Sequence, residues 1–149
     1  MRLLLVLGAA LVFAPTAIAH TDAASLRLEW PAQGTVTSGF GRDGTRWHPG
    51  IDIGTLYSLD ITAAAPGRVL RVGEQTGYEG YGNVVEVNVG GGFTLLYAHL
   101  AGESVHRGDW VVAGERLGIA GCTGWCTGTH LHLELRYRGV ATDPSLLLG

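Results

Sequence analysis

Beyond residue 30 the chain is written in short apolar runs, many of them alternating with polar residues and most of them ended by glycine. Val84–Val89 is rich in β-branched residues, and Phe93–Leu100 and Leu131–Tyr137 alternate with a period of two. That period is the signature of a strand, whose successive side chains point to opposite faces. In Leu131–Tyr137 the leucines 131, 133 and 135 therefore share one face, and His132 and Glu134 share the other with His130. In the preceding run, strict alternation puts Phe93, Leu95, Tyr97 and His99 together and Thr94, Leu96, Ala98 and Leu100 opposite. Trp30–Phe40 reads as an opening strand and turn, Gly41–Gly50 as a loop, and Ile51-Asp52-Ile53 as a strand with Asp52 facing away from the isoleucines. Pro66-Gly67 is a turn before a strand at Arg68–Val72, Gly73–Tyr81 is a polar loop, and Gly90-Gly91-Gly92 is a hairpin turn. No amphipathic helix of three turns is visible after the N-terminal segment. The pattern predicts a single all-β domain.

The N-terminal segment is a different text. Arg2, the apolar run Leu3–Ala14 and the small-x-small triplet Ala17-Ile18-Ala19 predict a secretory signal over residues 1–19, cleaved to leave His20 as N-terminus. The run falls short of the ~20 apolar residues of a membrane span, so no stable membrane anchor is expected after cleavage. The mature chain would have 149 − 19 = 130 residues, with 20–29 as lead-in and 30–149 as the domain. Losing Arg2 moves the formal charge from −3 to −4, and no basic patch points to nucleic acid. All ten basic residues are arginine. This decides against one class, because the rhythm of residues 61–73 and 105–121 is that of biotinyl and lipoyl carriers. Those need a lysine to hold their cofactor.

Export also permits a disulfide, and Cys122 and Cys126 are the only cysteines. Their spacing within a turn-rich segment suits a bridge, which would contribute only about 2 kcal/mol by chain entropy. Its value would be local, in pinning the loop that delivers His130. Two unbridged thiols, or a metal site using both, are the alternatives.

Three stretches hold the candidate chemistry: His48-Pro49-Gly50-Ile51-Asp52, Tyr97-Ala98-His99-Leu100 and His130-Leu131-His132. A hydrolytic zinc site takes three protein ligands and leaves one position open. His48, Asp52 and one histidine of the last pair supply two imidazoles and a carboxylate. His99 and the remaining histidine are then spare for proton transfer and oxyanion stabilisation. Taken singly, each residue has an ordinary explanation: a loop histidine, a turn aspartate, a core histidine. His20 and His106 have no partners and are assigned to solvent. Glu134 is either a partner that fixes an imidazole tautomer or a solvated strand glutamate, and the solvated reading is taken. Arg46, Trp47 and Tyr57 are candidates for lining a groove.

In their order, the segments TSGFG (37–41), HPGIDIG (48–54), AAAPGRV (63–69), GYGN (80–83), LLYAHL (95–100), GDWVVAGERLGIAG (108–121) and TGTHLHLEL (127–135) resemble the lysostaphin-type (LytM-like) zinc endopeptidases, which cleave peptidoglycan cross-links. The resemblance runs from about Trp30 to Pro144. It implies an antiparallel β-sheet with a groove over a zinc site, and Zn²⁺ as the sole cofactor. It implies His48, Asp52 and His132 as metal ligands, with His99 and His130 acting on the water and the transition state. The implied partner is bacterial peptidoglycan peptide, met in the periplasm or outside the cell by a monomeric, exported enzyme. Some relatives have lost their ligands and serve as non-catalytic regulators of wall hydrolases, which is the alternative function. The chain departs from the family pattern in a short loop between Phe40 and His48, in the two cysteines flanking Trp125, and in Thr129 before the histidine pair.

Overall fold

The computed structural model describes residues 26–149. The expected signal, most of the lead-in and His20 lie outside the described residues. Twelve strands follow in order: β1 (Thr35–Ser38), β2 (Gly41–Asp43), β3 (Arg46–His48), β4 (Ile51–Gly54), β5 (Asp60–Thr62), β6 (Gly67–Gly73), β7 (Asn83–Gly90), β8 (Phe93–Glu103), β9 (Trp110–Val111), β10 (Arg116–Ala120), β11 (Leu131–Tyr137) and β12 (Val140–Thr142). The helical content of the described residues is two short 3₁₀ turns, Glu79–Tyr81 and Pro144–Leu146. The main sheet runs β1-β4-β11-β8-β7-β6-β9, with β12 beside β11 and β10 pairing both β5 and β8. Each of these strand pairs is antiparallel. The fold is all-β.

The segment 41–50, read as a loop, instead folds into a small ribbon of β2 and β3, with Arg42 opposite Trp47. The turn between them carries Gly44 at φ +60, a left-handed conformation that glycine adopts at little cost. An Asp-Gly pair is a hairpin signal, so the ribbon was readable in the chain.

One face of the sheet covers the main core. Ile51 and Ile53 of β4, Leu131, Leu133 and Leu135 of β11, and Leu95 and Tyr97 of β8 are all essentially inaccessible there. Each such aliphatic side chain contributes roughly 1.5–3 kcal/mol through burial. The phenol oxygen of Tyr97 accepts a hydrogen bond from the Ala64 N–H at 2.8 Å, which satisfies the polar end of a buried ring. On the other face Leu96 and Ala98 pack with Val84 beneath Tyr78 and Tyr81.

Strict alternation in β8 fails at His99. After Leu95 and Tyr97 the period would send His99 into the core, yet it is Leu100 that is buried there. Val85 pairs with Tyr97 and Asn83 with Leu100, so β8 holds one residue more than β7 over that interval. His99 takes up this bulge at φ +63. Its side chain is thereby turned to the face of Ala98 and His132. The expected face assignment of His99 and Leu100 is corrected accordingly.

Candidate metal centre

Register brings the first donors together. β4 and β11 are neighbours, and Asp52 lies directly opposite His132 in their ladder. Directly opposed residues project to the same face of a sheet. His48 ends β3, immediately before Pro49-Gly50 turns the chain into β4. One ligand atom from each of His48, Asp52 and His132 falls within 4.8 Å of the others. Asp52 Oδ1 is 2.7 Å from His132 Nδ1 and 3.1 Å from His48 Nε2, and the two ring nitrogens are themselves 3.1 Å apart.

The outer ring nitrogens explain what those inner atoms can do. His48 Nδ1 faces the Gly39 carbonyl at 2.7 Å, and His132 Nε2 faces Glu134 Oε1 at 3.1 Å. Both partners are acceptors, so a proton on each outer nitrogen is satisfied where it stands, leaving the inner nitrogen free to act as a ligand. Each inner nitrogen then presents a lone pair. With the outer nitrogens protonated, the two inner nitrogens and Asp52 Oδ1 offer three converging lone pairs, an arrangement suited to a divalent cation. The charges agree. Burial opposes ionisation of Asp52, but His132, His48 and His130 outweigh it and hold the carboxyl below its usual range. Burial likewise disfavours a charged His132, yet Asp52 and Glu134 overcome it and raise the ring's proton affinity. The cluster wants positive charge.

Two further imidazoles overlook this centre. The His99 and His130 rings lie 4.8 Å apart between centroids, and His99 is 5.8 Å from His132. His99 Nδ1–H donates to the Thr123 carbonyl at 2.8 Å, and His130 Nδ1–H donates to the Gly128 carbonyl at 2.7 Å. Each keeps Nε2 free as an acceptor. His130 Nε2 stands 3.7 Å from Asp52 Oδ1. Burial, helped by the neighbouring His130 and His132, pushes His99 below the ordinary histidine range despite the opposing Thr123 contact. The neutral form of the His99 ring is thereby favoured.

Glu134 is not solvated. It is 1% exposed, and the expectation of a solvent-facing glutamate is corrected. Its Oε1 accepts from the Tyr81 hydroxyl at 2.5 Å as well as from His132, and its Oε2 accepts from Arg136 Nε at 2.7 Å. Arg136 in turn donates to the Tyr78 hydroxyl at 2.9 Å, its guanidinium over the rings of Tyr78 and Tyr81. Burial would raise the Glu134 pKa, but His132, Tyr81 and Arg136 lower it on balance. Burial and Glu134 together push the Tyr81 phenol up to about 12, so it stays a donor. Sequence reasoning missed Arg136, although alternation along β11 already placed it on the face of His132 and Glu134. It also missed Tyr81 and the three anchoring carbonyls, for which the chain carries no local signal.

An open groove of about 330 Å³ runs over these residues, walled by Arg46, Tyr81, Trp125 and Thr127. Trp47 and Tyr57 do not line it. Trp47 packs edge-on against Phe40, and Tyr57 is 77% exposed elsewhere. His106 is exposed to solvent beside Asp109. Cys122 and Cys126 are joined in a disulfide whose α-carbons are 5.3 Å apart. Among the described residues no helix is long and apolar enough to cross a membrane.

Residues 46–144 match the model of peptidase family M23. The chain is 32% identical over 145 residues to the cell division protein DipM of Caulobacter vibrioides, covering 89% of this chain and 24% of the relative. It is 38% identical over 99 residues to the DD-carboxypeptidase/endopeptidase Mpg of Neisseria meningitidis, covering 66% and 22%. Against the murein hydrolase activator NlpD of Escherichia coli the identity is 34%, covering 77% and 29%. The chain thus spans about a quarter of the length of the curated relatives it matches. Among solved structures, a zinc containing peptidase from Vibrio cholerae superposes with a TM-score of 0.68 at 28% identity, over 79% of this chain and 38% of that one. The catalytic domain of lysostaphin from Staphylococcus simulans gives a TM-score of 0.68 at 27% identity, over 76% and 90%. The match over most of the chain, on this fold and this donor set, places the protein in peptidase family M23, the lysostaphin-type (LytM-like) peptidases.

Proposed function

We propose that this chain is a zinc-dependent endopeptidase that hydrolyses peptide cross-links of bacterial peptidoglycan. The observation that carries the reading is the convergence of five side chains on one groove. His48 Nε2, Asp52 Oδ1 and His132 Nδ1 form a cation-binding cluster, and the Nε2 atoms of His99 and His130 are left as acceptors beside it. His48, Asp52 and His132 would hold the zinc. When bound there, zinc supplies a Lewis acid that polarises the scissile carbonyl and acidifies water.

The remaining work falls to the protein. His99 Nε2 or His130 Nε2 accepts a proton from the attacking water, each ring steadied by the carbonyl on its Nδ1–H. Once protonated, the same nitrogen donates to the developing oxyanion or to the leaving amine. Glu134 holds the proton on His132 Nε2 and so keeps Nδ1 as the ligand atom. Trp125 and Arg46 border the groove in which the peptide would lie. The expected cleavable signal over residues 1–19 and a disulfide both suit an exported protein acting in the periplasm or outside the cell.

The rival is a non-catalytic regulator, a reading kept in view by the likeness to a murein hydrolase activator. Retention of all five side chains favours the enzyme. The test is digestion of purified sacculi by the chain, with and without a chelator, read by mass spectrometry of the released peptides. New chain ends at stem-peptide or cross-bridge bonds, abolished by chelation and restored by zinc, are the expected result. Intact sacculi together with stimulation of a separate wall amidase would transfer the protein to the regulator class.

A further inference from the structure

We propose that the Cys122–Cys126 disulfide is a positioning element for His130, clamping the turn whose carbonyl keeps that imidazole's Nε2 free toward the groove. The proposal deepens the peptidase reading, because His130 belongs to the same site.

The segment from Gly121 to His130 is a loop with two unequal legs. It is closed at its base by the His130 N–H, which donates to the Gly121 carbonyl at 3.3 Å. The first leg is held many times over. The Thr123 hydroxyl donates to the Leu100 carbonyl at 2.9 Å and accepts from the Asn83 N–H at 3.0 Å. The Trp125 N–H donates to the Gly80 carbonyl at 2.9 Å, and Gly124 and Gly82 meet backbone to backbone, where a Cβ on either would collide. The carbonyl that orients His99 belongs to Thr123, within this leg. It needs no help from the disulfide.

The second leg is Thr127-Gly128-Thr129. Among the described residues no backbone-to-backbone hydrogen bond engages any of the three, all are exposed, and a Cβ at Gly128 would meet open space. Yet the Gly128 carbonyl is what holds the His130 Nδ1–H, at 2.7 Å. A glycine between two exposed threonines has much backbone freedom to lose on being fixed. What limits it is Cys126, two residues earlier, tied covalently to Cys122 on the well-held leg. Without that tie the Gly128 carbonyl can swing away. A neutral imidazole deprived of its partner samples both tautomers. In one of them Nε2 carries the proton and can no longer accept another.

The two accessory histidines therefore form an internal control: the disulfide should matter to His130 and not to His99. The experiment uses the full purified chain loaded with zinc and compares it with the Cys122→Ser/Cys126→Ser variant. The imidazole nitrogens are observed by ¹⁵N NMR without substrate, alongside zinc stoichiometry and steady-state kinetics on a soluble cross-linked muropeptide. In the variant the Nδ1–H signature of His130 should give way to an average of both tautomers, while His99, His48 and His132 keep theirs. Zinc content should hold, with kcat falling roughly tenfold through misorientation of one catalytic group. KM should stay within about twofold, as for a loss confined to the transition state. Phosphine reduction of the wild-type chain should reproduce the change and reoxidation reverse it, which covers a variant that fails to fold. An unchanged His130 tautomer would overturn the proposal, as would His99 and His130 shifting together or zinc leaving with the disulfide. Since the tautomer is read without turnover, a chain that hydrolyses nothing would sink the peptidase reading and leave this test intact.

Discussion

The two halves of the centre are built by different means. Asp52 and His132 belong to the main sheet, and His48 ends the small β2–β3 ribbon that leads into it. Two of them face each other across a ladder, and His132 is braced by the buried Glu134, Tyr81 and Arg136. His99 and His130 sit where regular pairing breaks down, one in a bulge and one at the start of a strand, each held through Nδ1 by a loop carbonyl, with Cys126 Sγ also 3.8 Å from the His130 ring nitrogen. A strand ladder fixes donors to within a few tenths of an ångström, as a metal requires. Loops can be re-aimed without disturbing the sheet, which suits the proposed task of these two groups, to meet a substrate.

That contrast is testable by breaking each half separately. The largest effect belongs to the ligands. Asp52→Ala and His132→Ala should each lower zinc content from about one equivalent to near zero and abolish hydrolysis, since each would remove one of the three proposed protein ligands. Elemental analysis after gentle reconstitution measures it. The next largest belongs to the accessory pair: His99→Ala and His130→Ala should keep their zinc while the initial rate falls roughly 10²-fold or more. Equal zinc contents across all four variants would erase the distinction between the halves, and an empty site in His130→Ala beside a filled one in His132→Ala would reverse the two roles.

A finer cut lies within the braced half. In Glu134→Gln the side-chain oxygen can still accept from His132, but the amide NH₂ then meets the Arg136 guanidinium, and the negative charge is lost. Zinc affinity should weaken by roughly 10- to 100-fold, the usual scale for removing the partner of a ligating histidine. A competitive chelator titration reads this, and unchanged affinity would mean that strand register alone orients His132. Smallest of all is the rim. Trp125 is 82% exposed over the groove, so Trp125→Ala should cost about 1 kcal/mol, near fivefold in KM with kcat kept. A fall in kcat instead would tie the indole to the orientation of His130.

The strands of the site were legible because their periodicity is local. β11 begins and ends where the alternation of Leu131–Tyr137 does, and both its faces point as the pattern requires. The site residues were legible because the short motifs carry His48, Asp52, His99, His130 and His132 in a recognisable order. His99 was misplaced for a definite reason. A one-residue bulge reverses every face after it, and nothing within Tyr97-Ala98-His99-Leu100 announces one. Glu134 was misjudged for another. Alternation says which face a residue occupies but not what covers that face, and here the cover is Tyr81, 53 positions away in sequence.

What the sequence determined by itself is the all-β character, the inventory of metal donors, the absence of any lysine for a carrier role, and the two-faced pattern of β11. These follow from covalent geometry and composition, which each residue carries with it. Only the tertiary structure decided which nitrogen of each imidazole faces the groove, which way His99 turns, and that Glu134 is a buried brace. A tautomer is set by whatever acceptor stands behind the ring. For these four histidines the acceptors are the Gly39, Thr123 and Gly128 carbonyls and the Glu134 carboxylate, brought into place by packing that joins residues as far apart as His48 and His132.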